Sequence, residues 1–179
     1  QHMNVYLYQY LLAVPTMLLQ AVLVVVIILM LLGKDRGLRK YFQKHGMTYG
    51  LLAGIVAVVG SLGFSLGYNY PPCDFCWYQR IFHYPNVILF AVAMKYHDAR
   101  VWTYSIWLSV IGVIIGGYQV LIQFSPRLAE SSFCNVVPVA NSCSDILIQP
   151  FGYLSIPVMS VTLFTSMIVL YFLQKKKEA

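Results

Sequence analysis

Long stretches without a charged residue, separated by short charged clusters, set the pattern of this chain. No charge falls between Asn4 and Gly33, and roughly 20 apolar residues suffice to cross the hydrocarbon core of a bilayer. Leu11 to Leu32 is therefore predicted to be a spanning helix, with Pro15 tolerated near its outer end. A second span is predicted over Met47 to Gly67, where Gly50, Gly54, Gly60, Gly63 and Gly67 suit close helix packing in lipid. The next uncharged run, Ile81 to Met94, is too short to span alone. That helix must begin near Cys76 and carry Arg80 in its first turns. Pro71 and Pro72 stop any helix before it, because proline lacks the amide donor and disfavours helix in the preceding residue. Pro85 is expected to kink it. A fourth span is predicted over Thr103 to Phe124, and a fifth over Phe151 to Leu173 with Pro157 inside. Between the third and fourth, the short turn KYHDAR makes its flanking helices antiparallel neighbours and leaves His97 solvated.

Composition turns this pattern into a class. Of 179 residues, 59% are hydrophobic and 10% charged, against about 25% charged in soluble domains. The chain is an all-α integral membrane protein embedded in a lipid bilayer. Its net charge of +6 does not point to nucleic acid, since the basic residues cluster at span ends. Ten of the twelve Lys and Arg residues lie in the connector Lys34 to Lys44, the turn Lys95 to Arg100 and the C-terminal tail. Only Arg80 and Arg127 fall on the other side. The positive-inside rule then gives five spans with the N-terminus outside and the C-terminus inside. Gln1-His2-Met3 reads as the remainder of a cut tag. The first span is too long for a signal peptide, and its basic cluster follows rather than precedes it.

The candidate chemistry sits at PPCDFCWYQR, residues 71–80. In a helix starting near Cys73, the residues Cys73, Cys76, Arg80 and His83 form one stripe down one face. The helix N-terminus and the guanidinium both favour a thiolate, the attacking form of cysteine. Alone, a Cys-x-x-Cys also fits a structural disulfide or half a zinc site, and an arginine near a helix end also snorkels to the interface. Ser125 to Pro150 is a long non-spanning segment holding a second pair, Cys134 and Cys143, on the same predicted side. Within it, Ser144 to Gln149 is expected to lie along the membrane surface. Gln119 and Gln123, at i and i+4 in the fourth span, suit interhelical hydrogen bonds or the polar head of a ligand.

These residues resemble the DsbB/BdbC family of bacterial disulfide-bond formation proteins. The likeness rests on C-x-x-C-W-Y-Q-R-I followed by Tyr84-Pro85, on a cysteine pair in the next outer loop with Ser144 after it, and on FGYLSIP at residues 151–157. The resemblance implies a four-helix bundle over 47–179 with an outer loop at 125–150, preceded by an extra helix at 1–33 and a basic cytoplasmic connector at 34–46. It implies a thiol oxidoreductase of the bacterial inner membrane with both cysteine pairs on the periplasmic side. Such a protein oxidises a soluble DsbA-like thioredoxin-fold partner and passes the electrons to the membrane quinone pool, ubiquinone or menaquinone. Cys73, Cys76, Cys134 and Cys143 would be catalytic, as redox-active disulfides Cys73-Cys76 and Cys134-Cys143. Arg80, His83, Gln119 and Gln123 would face the quinone, and no metal is expected. The family often carries histidine where this chain has Gln119, and an apolar residue where it has His83. The bottom-up chemistry agrees: a disulfide can be made only if another is broken or two electrons leave to an acceptor. Three other readings compete. They are a four-cysteine zinc protein, a membrane protein with two inert disulfides, and a vitamin K epoxide reductase type of quinone reductase, in which the loop cysteines precede the Cys-x-x-Cys.

Overall fold

The structure, a computed structural model, describes residues 2–70, 72–125, 128, 143, 144 and 146–175, with side chains from residue 5 onward. Cys134, Arg127 and most of the outer loop therefore lie outside the described residues. The helices are α1 (His2–Leu31), α2 (Arg36–Leu62, extended by a π-helical turn Gly63–Gly67), α3 (Asp74–Tyr96), α4 (Val101–Phe124) and α5 (Ile156–Gln174). Four of them, all but α3, are long and apolar enough to cross a membrane. The exception carries Asp74, Gln79, Arg80, His83 and Asn86, yet its 23 residues reach roughly 34 Å at the helical rise.

Helices α2 to α5 close a ring, with α2 against α3, α3 against α4, α4 against α5 and α5 against α2. Glycine makes these approaches possible. A Cβ at Gly50 would come within 2.7 Å of the Phe90 ring, and one at Gly54 within 2.8 Å of Val87 Cγ2. On the opposite side, Gly112 receives the Phe164 ring and Gly116 receives Val161. The small residues of the second and fourth spans are thus the seats of large side chains from α3 and α5. Helix α1 stands outside the ring and leans chiefly on α5. There Leu23 and Val26 pack with Val169 and Leu173.

The basic connector expected over 34–46 is helical from Arg36 onward, so only the turn Leu32–Asp35 separates α1 from α2. Asp35 is buried and accepts from Arg39 Nε at 2.6 Å. Arg39 Nη1 reaches across to the carbonyls of Phe172 and Lys175, each at 2.8 Å, and satisfies the last turn of α5. Pro85 lies inside an unbroken α3. Exposed His97 takes the left-handed conformation that caps α3, its N–H on the Ala93 carbonyl. Of the segment expected along the membrane surface, Ile146 and Leu147 are exposed, whereas Ile148 is buried with Ala13, Phe64, Leu154 and Met159.

Candidate redox site

The site forms where the C-terminal end of α2, the start of α3, the end of α4 and the segment before α5 meet. Extended backbone at Cys73 opens α3. One turn later the helix brings Cys76 Sγ to 3.1 Å from Cys73 Sγ. Both are free thiols, Cys73 buried and Cys76 half-buried. Cys143 is disulfide-bonded and buried, and it packs in one cluster with Cys73, Cys76 and Phe75. Two of the expected cysteine positions are thus drawn together from the helix, and a third arrives from the loop. Its expected partner, Cys134, lies outside the described residues.

The sulfurs are not left to apolar neighbours. Gln119 Nε2 donates to Cys73 Sγ at 3.2 Å and lies 3.6 Å from Cys76 Sγ. Its Oε1 accepts from Gln79 Nε2 at 2.6 Å. Both amides are buried, so each satisfies the other as a buried polar group must be satisfied. The hydrogen bond to Cys76, and then burial, hold the Cys73 thiol well above the ordinary cysteine range. Gln123 sits one turn beyond Gln119 and accepts from Ser155 Oγ at 2.7 Å; it lines a cavity with Cys73 and Cys76.

Arg80 is buried at 5% exposure. Its Nε donates to Ser61 Oγ at 2.7 Å, and its Nη2 donates to the Ser61 carbonyl at 2.9 Å and to Ser65 Oγ at 3.0 Å. Trp77 covers it, the guanidinium carbon lying 5.1 Å from the ring centroid. No carboxylate pairs with Arg80 among the described residues. A buried charge without a counter-ion is costly unless something in the site uses it. One turn deeper, His83 stacks on Phe164 with ring centroids 3.7 Å apart. Its Nε2 bonds Ser160 Oγ at 3.0 Å, while Nδ1 is buried with no hydrogen-bond partner among the described residues.

These groups line a largely apolar cavity. Cys76, Gln79, Arg80, His83 and Ser160 stand on its walls, with Phe64, Ile156 and Leu163. Of the predicted stripe, Cys76, Arg80 and His83 face this cavity, while Cys73 faces the neighbouring one, which Cys76 and Arg80 also line. Gln79 belongs to the motif but lies off that stripe, and its role comes only from Gln119 on another helix. Ser61 and Ser65 were hidden in the same way among the small residues of the second span. Among the described residues no group of three His, Cys, Asp or Glu side chains could hold a metal ion.

A family model described as Disulfide bond formation protein DsbB matches residues 43–174. "Probable disulfide formation protein C 2" of Bacillus cereus is 36% identical over 115 residues, covering 64% of this chain and 80% of that protein. "Probable disulfide formation protein C" of Halalkalibacterium halodurans is 38% identical over 96 residues, covering 53% and 67%. "Probable disulfide formation protein" of Coxiella burnetii is 34% identical over 109 residues, covering 61% and 71%. No solved structure matches the chain significantly.

Proposed function

The chain belongs to the DsbB family of disulfide bond formation proteins, membrane disulfide oxidoreductases, and from that premise we propose that it couples a soluble dithiol partner to a membrane quinone. The partner is a DsbA-like thioredoxin-fold protein, and the acceptor is ubiquinone or menaquinone. One observation carries the reading: the Cys73/Cys76 pair has disulfide-bonded Cys143 packed against it and an apolar cavity with Arg80 and His83 opening beside Cys76.

The residues present fit a quinone. An apolar ring with two carbonyl acceptors suits walls of Phe64, Ile156 and Leu163, with a guanidinium that has no carboxylate and an imidazole nitrogen that has no hydrogen-bond partner among the described residues. A bound quinone supplies a sink for two electrons and two protons. Arg80 would hold one oxygen by a charge-assisted hydrogen bond, and His83 would serve the deeper end. Gln119 keeps the sulfurs in register while Cys76 remains the member open to the cavity.

The relay balances as a series of thiolate exchanges. A partner thiolate attacks Cys134 and breaks the Cys134-Cys143 bond, and Cys143 leaves as thiolate. The partner's second thiol then displaces Cys134, so the partner departs as a disulfide and the loop pair holds its two electrons. Cys143 next attacks Cys73 and opens Cys73-Cys76. Cys134 closes again on Cys143, which leaves the helix pair as two thiols. Reoxidation of that pair from Cys76 returns the site to its starting state. In this reading the sulfur end faces the periplasm of a bacterial inner membrane, where loop disulfides persist.

A partner whose second cysteine is replaced by alanine cannot displace Cys134 and should be trapped there as a mixed disulfide, with Cys143 released as a thiol, visible by non-reducing electrophoresis and peptide mapping. Trapping on Cys73 instead would overturn the order of exchange.

A further inference from the structure

The cavity beside Cys76 is small, about 70 Å³, room for little beyond a ring. A much larger one, about 620 Å³, lies between α1, α2 and α5 and falls inside the 300–1,000 Å³ range of ligand sites. The two adjoin: Leu12, Thr16, Val56 and Leu163 line both. From Leu11 to Val26 the larger cavity follows roughly 22 Å of α1.

Its chemistry is that of hydrocarbon. Thr16 and Ser166 donate to carbonyls of their own helices, Leu12 at 2.7 Å and Leu163 at 2.7 Å. The Tyr49 hydroxyl is engaged with that of Tyr41 at 2.8 Å. The other lining residues are apolar, so no polar group there calls for a polar ligand. Helix α1 is fastened on either side of this space. Tyr8 donates to the Gly60 carbonyl at 3.1 Å, and Gln20 bridges Thr162 Oγ1 at 2.9 Å and the Tyr153 hydroxyl at 2.9 Å. Farther along, Leu23 and Val26 seal α1 onto Val169 and Leu173.

We propose that the groove beneath α1 holds the isoprenoid tail of the quinone and that α1 is the strap that covers it. The inference rests on the quinone reading of the Cys76 cavity. It gives the N-terminal helix, which lies outside the family match at 43–174, a task of its own. The occupant is a prenyl chain rather than a phospholipid acyl chain because the groove adjoins the ring cavity and its lining offers nothing for a phosphate.

Two experiments on the full chain test this. In the first, protein in phosphatidylcholine nanodiscs is loaded with a prenylated quinone bearing a diazirine near its tail end, irradiated and mapped by peptide mass spectrometry. Label should fall on α1 between Leu19 and Val26 and on the facing part of α5. Label confined to lipid, or to α3 and α4, would overturn the strap. In the second, the groove is filled from opposite walls by Leu19→Trp and separately by Ala53→Phe. Each should lower the preference for prenylated over tail-less quinone, as the ratio of kcat/KM values, about tenfold, the equivalent of two buried methylenes. Each should also lower the prenylated quinone extracted from purified protein. An unchanged ratio with ring reduction intact overturns the strap alone, as does extraction of phospholipid in place of prenylated quinone. Failure of the unaltered chain to reduce either quinone overturns the quinone reading and the strap together.

Discussion

Arg80 is held by two serines of α2, and its planar fork is what lets Nε and Nη2 bond Ser61 and Ser65 at once. Lysine would keep the charge and lose the fork. Arg80→Lys should therefore raise the KM for quinone roughly ten- to a hundredfold, the worth of one charge-assisted hydrogen bond at about 1.5–3 kcal/mol, with little change in thermal stability. Unchanged quinone kinetics would reduce Arg80 to an interface anchor. Gln119→Leu removes the donor to Cys73 and strands the buried Gln79 amide, which should cost about 1–3 kcal/mol and slow reoxidation of the helix pair. Thermal unfolding and thiol trapping after a pulse of reductant check both halves. At this scale the stripe from Cys73 to His83 was legible because helical spacing alone sets it. The Gln79–Gln119 pair was not, since 40 residues separate its members and only the packing of α3 on α4 joins them.

Helix α4 gives up side-chain volume where α5 needs it. At Gly112 a Cβ would run into the Phe164 ring, and that ring is stacked on His83. Gly112→Ala should displace Phe164, with an overpacking cost of about 1–3 kcal/mol, and should impair quinone turnover through His83 more than thiol exchange with the partner. Equal loss in both half-reactions would contradict this coupling. At the opposite end, Arg39→Ala would break the ion pair with buried Asp35 and remove the donor to the Phe172 and Lys175 carbonyls. About 3 kcal/mol of stability should be lost, read by detergent-unfolding midpoint, with quinone affinity intact. The glycines announced close packing in the sequence but not their partners, because a small residue records a space and not what fills it. The start of α2 was likewise obscured, since its first turns carry the charges that mark a connector.

For the whole molecule, hydropathy and the distribution of charge were enough to foresee an all-helical membrane bundle. They did not reveal that α1 lies over the seam between α2 and α5, since an evenly apolar helix presents no preferred face in its sequence. The proposed orientation predicts that a membrane-impermeant maleimide on intact cells labels Phe151→Cys and spares Lys40→Cys; the reverse pattern would place the sulfur end in the cytoplasm. The central claim is that electrons from a soluble dithiol leave through Cys76 to a quinone. Its most direct measurement is anaerobic mixing of the purified protein, in catalytic amount, with a reduced thioredoxin-fold partner and a water-soluble quinone, following quinone absorbance and acid-trapped thiols together. The account predicts one quinone reduced for every two partner thiols lost, with quinone reduction abolished in Cys76→Ala. Partner oxidation without matching quinone loss, or undiminished quinone reduction in Cys76→Ala, would contradict it.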